Sequence, residues 1–545
     1  MTKSNRLFLA ATFGIFGFLF WHFAKTMLQL KADGWYVGQV NLYGDLVFHL
    51  GLINKFLESN RVLVDNPILA HEKVNYPIFA DFLTAQIAKI TNIDFALFLT
   101  TFMAGLLVIF VARMFILNFI KNEKIVFLTL LIFFVNGGFG FFYLFKDFFL
   151  SGEPLTDFIF NLPHEYTDIK ERGYWWINTY LAYFLPQRGF LFAFPITLTI
   201  LSLLYWGVKN VKKSFFILAA ILSGILPLVQ AHSLFLIFLL CLFFVPASID
   251  HFKKKRKELI INWLVFLSIT IILSLAIFRT ISTNQPINFI RFDPGWTSQE
   301  NIIWFWFKNL GIFAPTLIIS LIWIFKKNRH LSLLYFPFLM IFVISNLFVF
   351  QPWDFDNSKL LIYWFFASCI IVAYFLYDQF FQESLLRKFL GTVIVFIMTF
   401  SGAIDLARTF TQVTNYRIFS NDDLEVAQLV KNLTPRDSIF VTAPVHNHPI
   451  PALSGRSTLI GYHGWLWSHG IDYQKRASDV SKIYQGGKTA EELITKYELN
   501  YVTIGPNEKE AFSINETYFS QYPAIDLTAD WKLYDVSNLW SDSNR

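Results

Sequence analysis

The feature that most constrains this chain is a series of long apolar segments. About 20 mostly apolar residues suffice for a helix to cross the hydrocarbon core of a bilayer. Of the 545 residues, 55% are hydrophobic and only 15% are charged, well below the roughly 25% typical of soluble domains. We therefore predict an α-helical polytopic membrane protein. About eleven apolar segments are candidates for transmembrane helices, near 7–26, 95–118, 125–147, 189–208, 214–231, 233–250, 259–280, 302–325, 331–350, 360–378 and 388–406.

Basic residues are concentrated between alternate apolar segments. Cytoplasmic loops carry an excess of Lys and Arg, so the alternation predicts orientation. With the N-terminus in the cytoplasm, every connection predicted to lie inside is basic, whereas those at 232, 282–301 and 351–359 contain few basic residues. We predict a multi-pass protein with a cytoplasmic N-terminus and an extracytoplasmic C-terminal domain, in the plasma membrane if the source is prokaryotic.

The composition also divides the chain into two predicted domains. Residues 1–406 form a transmembrane domain with two large outer loops, 27–94 and 148–188. From about residue 415 polar residues become frequent, and helices at 421–433 and 490–497 alternate with strands at 438–442 and 501–505. This pattern predicts a soluble extracytoplasmic α/β domain over 407–545. Because the long loops all lie on one side, we expect the function to lie at the outer face.

The first outer loop contains acidic residues on two predicted helices, 44–59 and 77–90. Asp45 and His49 are four residues apart, so a helix places them on one face. Asp81 is an acid on an otherwise apolar segment. The alternative is an ordinary interfacial helix whose Asp45 serves as a capping residue near the N-terminus.

Two further polar groups stand in the second outer loop. Asp168 follows the segment Pro163-His164-Glu165, and Arg188 lies at the outer end of a predicted helix. A guanidinium can hold a phosphate through paired hydrogen bonds. An arginine that only extends toward the interface is the alternative.

The short loop 351–359 is unusually polar. Two acids, an amide and a lysine occur within six residues, beside an aromatic side chain. A turn alone would account for Asn357. The candidate residues of this loop are Trp353, Asp354, Asp356, Asn357 and Lys359.

An aromatic segment at 461–473 provides the candidates of the C-terminal domain, Trp465, Trp467 and Asp472. Such a segment can stack on a sugar ring or lie on the membrane interface, and both interpretations stay open. Four histidines, at 446, 448, 463 and 469, have no spacing diagnostic of zinc, and we predict no metal site among them. The chain contains no nucleotide-binding or metalloprotease motif. Its basic runs are short cytoplasmic loops, which predicts no nucleic-acid partner.

In its layout the whole chain resembles the GT-C superfamily of membrane glycosyltransferases, such as the protein O-mannosyltransferases, the lipid A aminoarabinose transferases and the oligosaccharyltransferases. The motifs that carry the resemblance are Gly44-Asp45 and Tyr76-Pro77 in the first outer loop. Many members have paired acids in that loop, whereas here Leu46 follows Asp45. The resemblance implies transfer of a hexosyl or pentosyl group from a polyprenyl-phosphate donor to a glycan, lipid or protein acceptor on the outer face, with membrane lipid as a further partner.

The resemblance also implies roles for the candidate residues. Asp45 would be the catalytic base, and His49 would assist or orient it. Arg188 and Lys359 would bind the donor phosphate. The remaining candidates would bind sugar or acceptor: Asp81, Asp168, Trp353, Asp354, Asp356, Asn357, Trp465, Trp467 and Asp472. A divalent cation held at 354–357 stays open as a cofactor.

Two other classes of protein compete with a transferase. A transporter or flippase of a lipid-linked substrate would also have many apolar helices. Transporters often contain internal repeats. The chain shows none, and its charges gather at one face rather than in mid-bilayer. A non-catalytic membrane assembly protein is the third interpretation.

Overall fold

The computed structural model describes residues 3–59, 61–282, 290–411 and 416–541. The fold is mostly helical. In chain order the α-helices of these residues are α1 (Lys3–Thr26), α2 (Tyr43–Glu58), α3 (Phe79–Ala88), α4 (Ile93–Leu117), α5 (Glu123–Phe134), α6 (Phe141–Ser151), α7 (Leu155–Phe160), α8 (Arg188–Asn210), α9 (Lys213–Val229), α10 (Ala231–His251), α11 (Arg256–Ile281), α12 (Ile302–Leu310), α13 (Phe313–Lys327), α14 (Arg329–Leu347), α15 (Ser358–Leu376), α16 (Leu385–Thr411), α17 (Asn421–Leu433), α18 (Pro449–Leu453), α19 (His463–Ser468), α20 (Gln474–Gln485), α21 (Lys488–Lys496), α22 (Pro506–Ala511), α23 (Glu516–Phe519) and α24 (Asn538–Ser541).

The strands are short. They are β1 (Gln29–Lys31), β2 (Gly34–Val37), β3 (Arg291–Phe292), β4 (Phe348–Val349), β5 (Tyr416–Ser420), β6 (Ile439–Val441), β7 (Ser457–Thr458), β8 (Tyr501–Ile504), β9 (Ala524–Asp526) and β10 (Lys532–Asp535).

Eight helices of the described residues are long and apolar enough to cross a membrane: α1, α4, α8, α10, α11, α14, α15 and α16. The pair α12 and α13 is bent by 95° and would make a ninth span if it crosses as one. All eleven predicted segments are helical in the described residues. Eight correspond to the long helices and one to the bent pair, whereas the remaining two are not single long helices. Helix α9 is a shorter apolar helix, and the segment 125–147 is divided into α5 and α6.

The break between α5 and α6 follows from its glycines and its polar residues. A Cβ added at Gly140 would lie 1.7 Å from the Tyr166 carbonyl oxygen, so the backbones approach too closely for any other residue. The break frees carbonyl groups, which must find other partners at this depth. The buried Asn178 side chain donates to the carbonyls of Phe134 (3.1 Å) and Asn136 (3.2 Å). The second outer loop therefore completes the broken helix.

The described residues form two compact units. The helical unit comprises residues 3–24, 101–275 and 290–411. The α/β unit comprises residues 25–59, 61–100, 276–282 and 416–541. Each unit therefore draws on segments that lie far apart in the sequence.

Helix α15 lies at the centre of the helical unit. In the span Asp354–Phe381, 83% of an 18-residue apolar stretch is buried, more than in any other candidate span described. Aromatic rings fill the space around it: Phe194 lies 5.4 Å from Tyr363 and 5.2 Å from Phe366, and Phe133 lies 5.0 Å from Phe366, between ring centroids. The many phenylalanines of the sequence thus supply an interior as well as a lipid-facing surface.

The α/β unit is built on a mixed sheet of order β7-β6-β8-β10-β9. Strand β6 is parallel to β7 and β8, whereas β10 is antiparallel to β8 and β9. Its hydrophobic core includes Val426, Phe440, Ile450, Trp531 and Leu533. The α/β prediction for the C-terminal part is confirmed: α17, α21, β6 and β8 lie where the sequence predicts helices and strands.

The first outer loop belongs to this same unit. Strand β2 pairs with β5 of the C-terminal part, and the two predicted loop helices are present as α2 and α3. Two buried side chains of α2 reach the C-terminal part: Asn54 Nδ2 donates to the Ala452 carbonyl (3.1 Å) and Lys55 Nζ donates to Ser457 Oγ (2.9 Å). The first outer loop, which the sequence places in the domain 1–406, therefore packs with the C-terminal part of the chain.

Candidate functional site

The N-terminus of α2 is fixed by side chains of the C-terminal part of the α/β unit. The Gly44 carbonyl accepts hydrogen bonds from Trp465 Nε1 (2.9 Å) and His446 Nε2 (3.0 Å). The His446 ring also stacks on Tyr43, with centroids 4.2 Å apart. Asp45 follows in the first turn of the helix and is half-buried. This position lies at the positive end of the helix dipole.

One turn further along α2, His49 pairs with Asp81 of α3. His49 Nδ1 lies 2.8 Å from Asp81 Oδ2, and the two side chains are 1% and 0% exposed. When Asp81 is ionised, Nδ1 carries the shared proton and Nε2 is left as an acceptor. Nε2 is buried and has no hydrogen-bond partner within residues 3–59, 61–282, 290–411 and 416–541. A carboxylate that orients a histidine is the arrangement of a general base.

Aromatic rings surround this pair. Tyr76 lies 5.8 Å from the His49 ring, 5.0 Å from Phe48 and 4.8 Å from His469. Asn75 positions this segment, because its Nδ2 donates to the His469 carbonyl (3.1 Å) and its backbone has a positive φ of 51°. Tyr76 is therefore half-buried among these three rings.

The two candidates of the second outer loop lie in the helical unit. Arg188 is the first residue of α8 and is 2% exposed; its Nη1 donates to Thr101 Oγ1 (3.3 Å). An arginine that extends to the interface would be exposed, so the structure favours a binding or structural role. Asp168 is half-buried, and its carboxylate lies 3.7 Å from Lys170 Nζ. Burial raises the pKa of Asp168, and Lys170 opposes that effect.

The charged side chains of the polar loop 351–359 are paired with other charged side chains. Asp354 pairs with Arg291 (3.1 Å) and Asp356 pairs with Lys359 (3.0 Å). Trp353 is exposed and packs against the Phe355 ring.

Asn357 holds the backbone of that loop. Its Nδ2 donates to the carbonyls of Ser345 (2.9 Å) and Phe348 (2.6 Å). Its Oδ1 accepts from the Phe350 amide (3.3 Å) and from Gln351 Nε2 (2.9 Å). These four bonds fill the capacity of the amide. Asn357 therefore has no group left for a sugar or a cation, and the charge of Lys359 is already matched by Asp356.

The three candidates of the aromatic segment differ in how far they are exposed. Trp465 is buried and holds Gly44, whereas Trp467 is exposed. Asp472 is exposed, and its carboxylate accepts from the Gln474 amide (3.2 Å). No group of three or more metal-ligating side chains occurs in the described part of the chain.

The structure adds two residues to the site that are not among the sequence candidates for binding sugar or acceptor. His446 and Tyr43 form the wall beside Asp45, and Tyr43 also contacts Tyr416, with centroids 4.4 Å apart. Burial raises the pKa of the Tyr43 hydroxyl, and the hydrogen bond to Tyr416 adds to the shift. The histidine cluster at 446–469 is the sequence signal for His446, although its spacing does not indicate this role.

The apolar helices and the α/β unit define a polytopic integral membrane protein. Its fold is the GT-C fold, found in membrane glycosyltransferases. The solved structure of ArnT from Cupriavidus metallidurans in the apo state matches with a TM-score of 0.53 and 11% identity, and the match covers 99% of each chain. An oligosaccharyltransferase from Archaeoglobus fulgidus, tethered to an acceptor peptide containing the NVT sequon, matches with a TM-score of 0.50 and 9% identity over 91% of this chain and 69% of that one. No family model matches the sequence, and no curated protein is significantly similar to it.

Proposed function

We propose that this protein is a glycosyltransferase that moves a sugar from a polyprenyl-phosphate donor to an acceptor on the outer face of the membrane. The observation that carries the proposal is Asp45 in the first turn of α2, one helical turn before the buried His49–Asp81 pair. The fold shared with ArnT and an oligosaccharyltransferase supports the same reaction class.

Asp45 is the proposed catalytic base. The acceptor oxygen attacks the anomeric carbon of the donor, its proton passes to the Asp45 carboxylate, and the bond from that carbon to the phosphate oxygen breaks. The polyprenyl phosphate leaves with the electron pair. A base beside the acceptor contributes about 10²–10⁴ in rate. His49, oriented by Asp81, holds a second proton acceptor one turn further along the same helix.

Arg188 is the proposed ligand of the donor phosphate. Its guanidinium is buried, planar and permanently charged, and charge-assisted bonds to a leaving phosphate strengthen as negative charge develops there. Lys359 is the weaker candidate because Asp356 already neutralises it. The exposed Trp353 and Trp467 and the half-buried Tyr76 are the proposed contacts to sugar or acceptor.

The test uses the purified protein in lipid nanodiscs with a panel of radiolabelled polyprenyl-phosphate sugars and a cell-envelope extract as the source of acceptor. Loss of label from the lipid is followed for the wild type, Asp45→Asn and Asp530→Asn. Asp530 is an exposed acid of the same unit, so its variant controls for loss of charge alone.

We expect the wild type and Asp530→Asn to turn over one donor at equal rates, and Asp45→Asn to be at least about 100-fold slower. Equal rates for all three proteins would remove Asp45 as the base. Saturable binding of a donor without turnover by any protein would favour the flippase or assembly alternatives instead.

A further inference from the structure

The helical unit contains a cavity that the proposed reaction does not use. It has a volume of about 910 Å³ and lies between α4, α8, α10, α11, α14 and α15. Apolar side chains make up most of its wall, among them Phe115, Leu204, Phe244, Phe338 and Ile370. A volume of this size is within the range of sites that enclose a small molecule or part of a lipid.

The cavity is open to the side through apolar residues. Leu242 and Leu333 both line it, and they are 66% and 60% exposed. A proline stands four residues after each of them, Pro246 in α10 and Pro337 in α14, and both prolines also line the cavity. Proline removes the amide that would bond the carbonyl four residues earlier, which loosens the helix there. In a bilayer, exposed leucines at a side opening face acyl chains.

One end of the cavity is basic. Lys209, at the end of α8, His251, at the end of α10, and His330, at the start of α14, all line this end. The His251 and His330 rings lie 6.5 Å apart, and His330 lies 6.4 Å from Tyr205, over whose ring the Lys209 ammonium stands at 5.7 Å. Asp250 is the one acid in this lining. Five consecutive cationic residues, 253–257, follow α10 at the same end.

We propose that this cavity binds one anionic phospholipid, with an acyl chain between the helices and the phosphate beside Lys209, His251 and His330. The imidazole N–H groups donate to the phosphate oxygens, and the ammonium neutralises its charge. Basic pockets between membrane helices attract anionic headgroups in this way. Within the lining Lys209 is matched by Asp250, so the positive charge of this end comes from the five cationic residues 253–257, and this charge favours an anionic over a zwitterionic lipid. This inference does not depend on the proposed transferase activity.

Native mass spectrometry of the full, delipidated protein tests the site. The protein is titrated with dioleoyl phosphatidylglycerol, with dioleoyl phosphatidylcholine and with sn-glycerol 3-phosphate. We expect one phosphatidylglycerol to bind at least about fivefold more tightly than phosphatidylcholine, the factor expected for one lysine beside an anionic headgroup. Glycerol 3-phosphate at the same concentrations should not displace it. Equal binding of the two lipids, or displacement by glycerol 3-phosphate, would overturn the proposal.

Variants then place the lipid. Lys209→Gln combined with His330→Gln should abolish the preference for phosphatidylglycerol, whereas Lys213→Gln, an exposed lysine close by that does not line the cavity, should keep it. Ala247→Trp, at an exposed lining position, should weaken both lipids at least about threefold. Lys209, Ala247 and His330 are exposed, so their variants are expected to fold. Binding by the double variant equal to that of Lys213→Gln would place the lipid elsewhere and overturn the assignment.

Discussion

His49 Nδ1 lies 2.8 Å from Asp81 Oδ2, in a pair that joins α2 to α3 and is almost completely buried. A buried carboxylate is stabilised by its hydrogen-bond partners, and a buried imidazole is oriented by them. The pair therefore both ties the two helices together and directs His49 Nε2. This double role distinguishes it from Asp45, which is half-buried and lies at the end of its helix.

We predict that the pair contributes to stability as well as activity. Asp81→Asn replaces the acceptor oxygens of the carboxylate by a mixed amide and weakens the bond to His49. We expect a loss of about 1–3 kcal/mol in the free energy of unfolding. Thermal unfolding in detergent measures the shift, with Asp530→Asn, an exposed acid of the same unit, as the control. Equal unfolding midpoints for the two variants would show that the pair adds no stability.

Activity should not depend on a divalent cation. The two acids of the loop 351–359 are each paired with a basic side chain, and Asn357 is fully hydrogen-bonded. We expect donor turnover in EDTA within about twofold of turnover in Mg²⁺ or Mn²⁺, since no charge of that loop is left uncompensated for a hard cation. Loss of turnover in EDTA that Mg²⁺ or Mn²⁺ restores would instead support the cation that the sequence left open.

The break between α5 and α6 should tolerate no side chain at Gly140. Gly140→Ala places a Cβ against the Tyr166 carbonyl, and we expect the helical unit to lose about 1–3 kcal/mol of stability through overpacking. Gly14→Ala is the matched control, because a Cβ at this glycine of α1 meets nothing within 4 Å. There we expect a gain of about 0.5–1 kcal/mol from the helical preference of alanine. Thermal unfolding of both variants in one detergent measures whether each substitution raises or lowers the unfolding midpoint. A higher midpoint for Gly140→Ala than for the wild type would contradict this explanation of the break.

His463 should make the protein less stable as the pH falls through 6.5. Burial lowers its pKa below 6.5, and its ring stacks on Tyr473 with centroids 4.6 Å apart. The unfolded chain then gains a proton near pH 6.5, whereas the folded protein gains it only at lower pH. This side chain therefore lowers the free energy of unfolding as the pH falls through 6.5, and its effect levels off below the folded pKa.

The variant His463→Gln isolates that contribution. The unfolding midpoint of the wild type, measured relative to that of the variant, should fall as the buffer changes from pH 7.5 to pH 5. A constant difference for His463→Gln across this range would contradict the assignment.

Local patterns determined a large part of this protein. Apolar length alone predicts the membrane class and the eight long helices, because a helix in lipid satisfies its own backbone and needs only apolar side chains. Period and composition likewise predicted α2, α3 and the alternation of α17, β6, α21 and β8. The choice of Asp45 and His49 as neighbours on one helical face also needs only the spacing of four residues.

Tertiary structure decided what pairs with what. His49 pairs with Asp81, 32 residues away, and Asn178 completes a helix that ends 44 residues earlier at Phe134. The division of 125–147 depends on the approach of the Tyr166 backbone to Gly140, which no local pattern records. Hydropathy and period report the environment of each residue along its own helix. Which residues contact one another across helices depends instead on the tertiary fold. For these contacts the sequence shows which residues are polar but not which of them pair.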